Sequence, residues 1–277
     1  MTLSLAISPC PNDTLMFDAL VNAKCGNDAL TFATEFADIE QLNRGLLNAR
    51  WDVAKMSVAM FSLVRDEYVM LTAGMAMGFG NGPLVVSHNS EINLGQFVGK
   101  MLIPGQNTTA NLLLSRFFPN ITDKEELLFS DILQSVANRK ALAGLIIHES
   151  RFTYRQYNLY SVADMGEIWC QQTQLPLPLG CIVARRSLGK ETILQIESLI
   201  RQSIKCGLEN RAEALPFIQH YAQELDTAVV NSHIDLYVNK YSVNPGKDGL
   251  NAVLTLLRSA PENHSLSLSD IFATWEK

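Results

Sequence analysis

The amino-acid sequence predicts an α/β protein divided into two lobes, each a mixed sheet flanked by helices. Three observations lead there. Short apolar runs alternate with amphipathic stretches as far as about Leu188, the pattern of buried strands covered by helices. Two Gly/Pro-rich passages, Gly78–Pro83 and Pro176–Gly180, each lead straight into a short β run and bracket a central block with its own alternation. Such a pair is expected where a chain crosses from one lobe to another and returns. The composition, 47% hydrophobic and 18% charged over 277 residues, supplies enough apolar surface to offset the entropy of ordering.

The elements follow in order. Leu3–Ser8 reads as a buried strand, with Asp13 or Thr14 capping a helix to about Ala23. Leu30–Phe36 is the next strand. Asp38 caps a helix over Ile39–Arg50, which sets Ile39, Leu42, Leu46 and Leu47 on one face. Val53–Ser57 is a strand opening into a short helix, Val58–Val64, and Tyr68–Leu71 and Leu84–Ser87 are further β runs. In the central block Lys100–Ile103 is a strand ended by Pro104-Gly105, and Thr108 or Thr109 starts a helix through Phe118. Leu127–Ser130 and Leu145–Ile147 read as strands flanking a helix from Asp131 to about Asn138. Tyr160–Asp164 and Cys181–Ala184 are strands on either side of a helix around Gly166–Gln172. Beyond Leu188 the pattern is mostly helical: Glu191–Cys206, Ala212–Gln223, Ala228–Val238 and Leu250–Leu257. Residues 1–87 and 184–277 would then form a discontinuous first lobe and 88–183 the second. Ligands in such proteins are expected in the cleft between lobes, against strand C-termini and helix N-termini.

Charge and cysteine usage exclude several classes. Lys and Arg total 22 against 28 Asp and Glu, a net charge of −6, so no basic excess is available to neutralise a nucleic acid. The five cysteines include no C-x-x-C pair, which argues against a zinc knuckle or a disulfide framework. The first basic residue is Lys24, so a signal peptide is not expected, and no apolar stretch reaches the ~20 residues of a membrane span. A cytoplasmic location without a membrane partner is the expectation, and composition leaves a homodimer open.

Several segments carry candidate chemistry. Ser8-Pro-Cys-Pro-Asn-Asp-Thr14 is a strand-to-helix turn dense in polar groups, either facing a ligand or simply capping a helix. In Lys55-Met56-Ser57, Lys55 interrupts an apolar run at a strand end. Its ammonium must find an anion or reach solvent. Gly105-Gln-Asn-Thr-Thr-Ala-Asn111 opens an apolar helix with free N–H donors and hydroxyls, which suits a carboxylate or phosphate as well as ordinary capping. No Gly-Lys-Ser/Thr follows, so it is not a P-loop, and Gly78-Phe-Gly-Asn-Gly82 lacks the third glycine and helix of a dinucleotide fingerprint. Gly144-Leu-Ile-Ile-His-Glu-Ser-Arg-Phe-Thr-Tyr154 delivers His148 at the end of an apolar strand, where an imidazole serves as a general base or acid or as a hydrogen-bonded structural residue. The remaining histidines show no H-E-x-x-H or paired spacing, so no metal site is expected.

These segments, in this order, together with Leu175-Pro-Leu-Pro-Leu-Gly180 and His233-Ile-Asp-Leu-Tyr-Val-Asn239, resemble the 1,4-dihydroxy-6-naphthoate synthase family of the futalosine route to menaquinone. The resemblance implies a periplasmic-binding-protein-like fold of the second type used as a cytoplasmic enzyme. It implies a lyase that cleaves cyclic dehypoxanthinyl futalosine, a small carboxylate, to 1,4-dihydroxy-6-naphthoate with no metal or organic cofactor. The family's catalytic base matches His148, and its substrate-binding segments match Lys55, Met56 and Ser57 and Thr109 and Ala110. Two other readings compete: a chorismate dehydratase of similar fold, and a non-catalytic small-carboxylate-binding protein.

Overall fold

The computed structural model describes residues 1–25, 30–222, 226–260 and 263–273. In chain order the N-terminal elements are β1 (Thr2–Ile7), α1 (Pro11–Val21), β2 (Thr31–Phe36), α2 (Ile39–Leu47), β3 (Val53–Ser57), α3 (Phe61–Val64), β4 (Tyr68–Met70) and β5 (Ala76–Gly78). The middle holds β6 (Leu84–Ser87), β7 (Met101–Ile103), α4 (Thr109–Phe117), β8 (Lys124–Glu126), α5 (Phe129–Ala137), β9 (Ala143–Ile146), α6 (Ser150–Thr153), β10 (Tyr160–Asp164) and α7 (Met165–Thr173). The chain closes with β11 (Leu177–Arg185), α8 (Lys190–Glu209), α9 (Arg211–Tyr221), α10 (Thr227–Tyr237), α11 (Lys240–Val243), α12 (Gly246–Leu257) and α13 (Leu268–Ile271).

Two compact units result: Met1–Gly78 with Pro178–Lys277, and Phe79–Leu177. The exchange points therefore differ from the expected 87/88 and 183/184. Strand pairing is the reason. β6 hydrogen-bonds to β9 and β10, which takes Leu84–Ser87 into the second unit. β11 joins β3 over Gly180–Ala184 and β4 over Val183–Arg185, so the first unit already claims these residues.

The first unit's sheet runs β2-β1-β3-β11-β4, with β5 also on β11. β1, β2 and β3 are parallel, and β11 is antiparallel to both β3 and β4. α1 is buried nearly all round because it packs against α8 and α9 as well as against the core. Leu5, Ile7, Phe17, Val53 and Ile182 meet Ile196, Ile200 and Ile204 of α8 in that core. The second unit's sheet runs β10-β6-β9-β7-β8, with β7 parallel to β8 and β9 and with β6 antiparallel to its neighbours. Its core joins Leu84, Val86, Leu102 and Ile146 to Ile132, Leu133 and Val136 of α5.

Local differences from the expected elements have local causes. Pro11 begins α1 with Cys10 at the N-cap, so Asp13 falls in the first turn rather than at the cap, and Thr14 bonds back to the Cys10 and Pro11 carbonyls. α2 stops at Leu47 because Ala49 takes a φ of 48° and Arg50 N–H closes onto the Gly45 carbonyl at 3.1 Å. No strand forms at Leu127–Ser130: Leu127 and Phe129 pack into the core as α5 begins. The strand there is Lys124–Glu126, a polar segment at the sheet edge, where charged residues protect against further pairing. β11 starts within the Pro-Leu-Pro passage, since its register against β3 begins only at Gly180 and Pro178 owes β3 no donor. The helix expected to Gln223 ends at Tyr221, and Gln223 lies outside the described residues.

Candidate functional site

In each unit the candidate residues lie at the end of the sheet reached by the C-termini of the parallel strands. In the first unit that end holds the turn after β1, the tip of β3 and the start of the β11–β3 pairing, where Gly180 stands opposite Ser57. Lys55 is neither exposed nor snorkelling. Its Nζ lies 2.6 Å from Asp13 Oδ1, and the two side chains are 5% and 0% exposed. Asp13 also accepts from Asn12 Nδ2 at 2.8 Å and, through Oδ2, from Ser8 Oγ at 2.7 Å and Ser8 N–H at 3.3 Å. A carboxylate so supplied is fully compensated, which is the condition for burying a charge. Asn12 then turns its Oδ1 to His233 on α10, 2.9 Å from Nε2. The orientation follows from the partners. Asp13 accepts only, so the Asn12 amide nitrogen faces it, and the oxygen left over requires His233 Nε2 to carry hydrogen.

Gly180 is demanded by this arrangement, because a Cβ there would sit 2.9 Å from Lys55 Cε and 3.4 Å from the Met56 carbonyl oxygen. Beside it Cys181 is buried, and desolvation pushes its thiol up to about 12 despite the lowering influence of Lys55. Ser57, at the tip of β3, is paired with Asn43 of α2: Ser57 N–H donates to Asn43 Oδ1 and Asn43 Nδ2 donates to Ser57 Oγ, both at 3.0 Å.

In the second unit β7 and β9 are parallel neighbours, Met101 opposite Ala143 and Leu102 opposite Gly144. Their C-terminal extensions, Pro104–Thr109 and Ile147–Ser150, therefore leave the sheet at the same end. Thr108 caps α4, accepting from Asn111 N–H at 3.1 Å and donating to the Gly105 carbonyl at 2.8 Å. Thr109 and Ala110 occupy the first helical positions and are buried. His148 is half-buried, edge-on to Phe129 at 5.0 Å between ring centroids. Its φ of 56° is a left-handed conformation that costs free energy for a non-glycine residue and concentrates at functional positions.

The segment after His148 is tied down at the same end. Arg151 donates to the Gly82 carbonyl at 2.5 Å and to Asp164 Oδ2 at 2.7 Å. Asp164 Oδ1 in turn caps α7 through Gly166 N–H and Glu167 N–H. Gly82 and Gly166 approach so closely that a Cβ on Gly82 would lie 2.0 Å from Gly166 N. Among the described residues no group of three or more His, Cys, Asp or Glu could hold a metal ion, and no helix is long and apolar enough to cross a membrane.

Lys55, Met56 and Ser57 thus belong to the first unit, and Thr109, Ala110 and His148 to the second. Sequence reasoning gave no individual role to Asn43, His233 or Asp164. His233 had a usable signal, since Val230, His233, Ile234 and Tyr237 form the buried stripe of α10. Asn43 had one too, a buried polar residue beside Leu42 and Leu46.

Two helix-flanked sheets, joined by a chain that crosses between units twice, define a periplasmic-binding-protein-like fold. A ligand-binding component of a Staphylococcus aureus ABC-type import system shares it with a TM-score of 0.72 over 98% of this chain and 96% of its own, at 11% identity. A crystal structure of an Archaeoglobus fulgidus protein is more similar: TM-score 0.89, 34% identity, 96% and 98% of the two chains. The family model described as "Menaquinone biosynthesis" matches residues 3–262, and the chain belongs to that family. Two relatives bear the name 1,4-dihydroxy-6-naphtoate synthase. The one from Thermus thermophilus is 41% identical over 258 residues, 93% of each chain. The other, from Streptomyces coelicolor, is 39% identical over 266 residues, 94% of this chain and 93% of its own.

Proposed function

We propose that the chain is a carbon–carbon lyase that converts cyclic dehypoxanthinyl futalosine to 1,4-dihydroxy-6-naphthoate in menaquinone biosynthesis. The observation that carries this reading is the near-complete alignment, at 41% and 39% identity, with two relatives named for that product. His148 is the general base. Its imidazole removes a substrate proton and triggers cleavage of the carbon–carbon bond to the sugar-derived fragment, which leaves as aromatisation of the product drives the step. The strand-end placement of His148 and its φ of 56° support that role. Lys55–Ser57 and Thr109-Ala110 hold the substrate's carboxylate and other oxygens. The resemblance, rather than geometry, assigns both segments to one substrate. Because the Lys55 ammonium is committed to Asp13, the first unit's contribution comes from neutral donors. The reading includes a cytoplasmic location, in keeping with five cysteines that form no disulfide among the described residues.

The test is direct. Purified protein should consume cyclic dehypoxanthinyl futalosine and release the naphthoate, followed by absorbance. His148→Ala should lower kcat by about 10²–10⁴-fold, the usual range for a general base, while the substrate Kd stays within a few-fold. A wild-type protein that retains the substrate unchanged, or one that dehydrates chorismate instead, would overturn the assignment. Near-normal kcat in His148→Ala would remove His148 as base.

A further inference from the structure

The reciprocal pair between Asn43 and Ser57 constrains where the Ser57 hydroxyl hydrogen can go. Asn43 is fully buried within α2, and Ser57 is 3% exposed at the end of β3. An asparagine inside a helix is unfavourable by propensity, and burying its amide requires compensation. At this position the amide takes two bonds from one residue: Ser57 N–H donates to Oδ1 at 3.0 Å, and Nδ2 donates to Ser57 Oγ at 3.0 Å. The amide cannot be turned over. A backbone N–H only donates, so it must face Oδ1, and Nδ2 must then face the hydroxyl. Ser57 Oγ is thereby an acceptor toward Asn43, and its own hydrogen points elsewhere.

We propose that Asn43 is a positioning residue that fixes Ser57 as a hydrogen-bond donor to an oxygen of the substrate, a carboxylate or a carbonyl that can accept. The proposal rests on the reading of Lys55–Ser57 as a substrate-binding segment. Asn43 touches no substrate. It takes one of the two Ser57 Oγ lone pairs and leaves the hydroxyl hydrogen free for the ligand, so an accepting oxygen is favoured over a group that can only donate. The buried Asp13–Lys55 pair reinforces this selection, since the nearest cation on the same strand is already neutralised.

The decisive variant is Asn43→Asp, which is isosteric but acceptor-only. Its carboxylate would take both the Ser57 N–H and the Ser57 hydroxyl hydrogen, reversing the bond. Steady-state kinetics with cyclic dehypoxanthinyl futalosine should show a KM raised about 10- to 100-fold, the loss expected for a hydrogen bond to a charged acceptor, with kcat little changed. A merely structural defect would instead lower the active fraction, hence kcat at constant KM. Ser57→Ala should raise KM by a similar factor, and Ser57→Thr, which keeps the hydroxyl, should regain most of it. The double variant Asn43→Asp/Ser57→Ala should be no worse than Ser57→Ala alone, because the bond Asn43 directs is already gone.

Additive effects in the double variant would mean that the new carboxylate acts by repelling the substrate, and would overturn the proposal. A wild-type KM in Ser57→Ala would overturn it even if Asn43→Asp fails to fold. Should the unaltered protein not turn over this substrate, the functional reading falls and the proposal falls with it. An active wild type with unperturbed KM in Asn43→Asp sinks the proposal alone.

Discussion

Replacing Asp13 by an asparagine keeps the side-chain volume but removes the anion that Lys55 faces. The ammonium lies 2.6 Å from Asp13 Oδ1 with its side chain only 5% exposed, so it cannot turn outward to water without breaking the core around β3. Removing one partner of a buried pair costs about 3–5 kcal/mol, because the surviving charge is left uncompensated. For a chain of this size each kcal/mol moves Tm by about 2–4 °C, so the shift should be roughly 6–20 °C downward. The neutral amide introduced there would also lose part of what the carboxylate accepts from Ser8 Oγ, now at 2.7 Å, a charge-assisted bond worth about 1.5–3 kcal/mol and so the smaller contribution. Urea unfolding followed by circular dichroism measures the loss. Asp13→Asn/Lys55→Met separates charge from packing: with both charges gone, most of the stability should return. A single variant within about 0.5 kcal/mol of wild type, or a double variant no better than the single, would refute the view that the pair is a closed electrostatic unit.

Further outcomes concern Gly180 and Cys181 on β11 and Lys124 at the start of β8. Gly180→Ala should cost about 1–3 kcal/mol in urea unfolding, since its Cβ would press within 2.9 Å of a Lys55 Cε that Asp13 holds in place. Cys181, pushed up to about 12 by burial from an ordinary 9.0, should resist iodoacetamide in the folded protein at pH 8, as peptide mapping would show. Its folded thiol stays protonated where the unfolded one ionises. Stability contributed by Cys181 is thus complete below about pH 9 and lost as pH rises toward 12, so Cys181→Ala should show a shallower alkaline decline in urea midpoint. Lys124 carries the opposite sign: burial against Asn111 and Ser115 lowers its ammonium below 10.5. The folded state then holds fewer protons than the unfolded one in the range just below pH 10.5. Its destabilising contribution fades as pH rises through that window, and Lys124→Met should flatten the corresponding gain in urea midpoint.

What the sequence made legible divides by range. Caps depend on neighbouring residues, so Asp38 and Thr108 are readable and both bond as capping residues. Asp13 has the look of a cap but serves a strand 42 positions away, and nothing local reveals Lys55 as its partner. The His233–Asn12 bond spans 221 positions and depends on α10 returning to α1. β8 escapes an apolar-run criterion because an edge strand of Lys-Glu-Glu buries little. The exchange points between units are misplaced by sequence reasoning for a related cause. Gly/Pro passages mark turns, while membership of a sheet is decided by hydrogen-bond partners far along the chain.

The place of β11 in the first sheet has a consequence for how the protein is made. β11 lies between β3 and β4, two strands that emerge from the ribosome long before it. The second unit is one continuous stretch, Phe79–Leu177, and can condense as soon as it is released. The first unit cannot, because β3 and β4 wait for a strand on the far side of that stretch. At about 5–20 residues per second, synthesis of the intervening hundred residues takes on the order of 5–20 s. Through that interval a nascent sheet carries unpaired edges at Val53–Ser57 and Tyr68–Met70, both rich in apolar side chains, with the risk of wrong pairing that open strand edges bring. The order of completion is therefore inverted relative to translation: the N-terminal residues are made first and finish folding last.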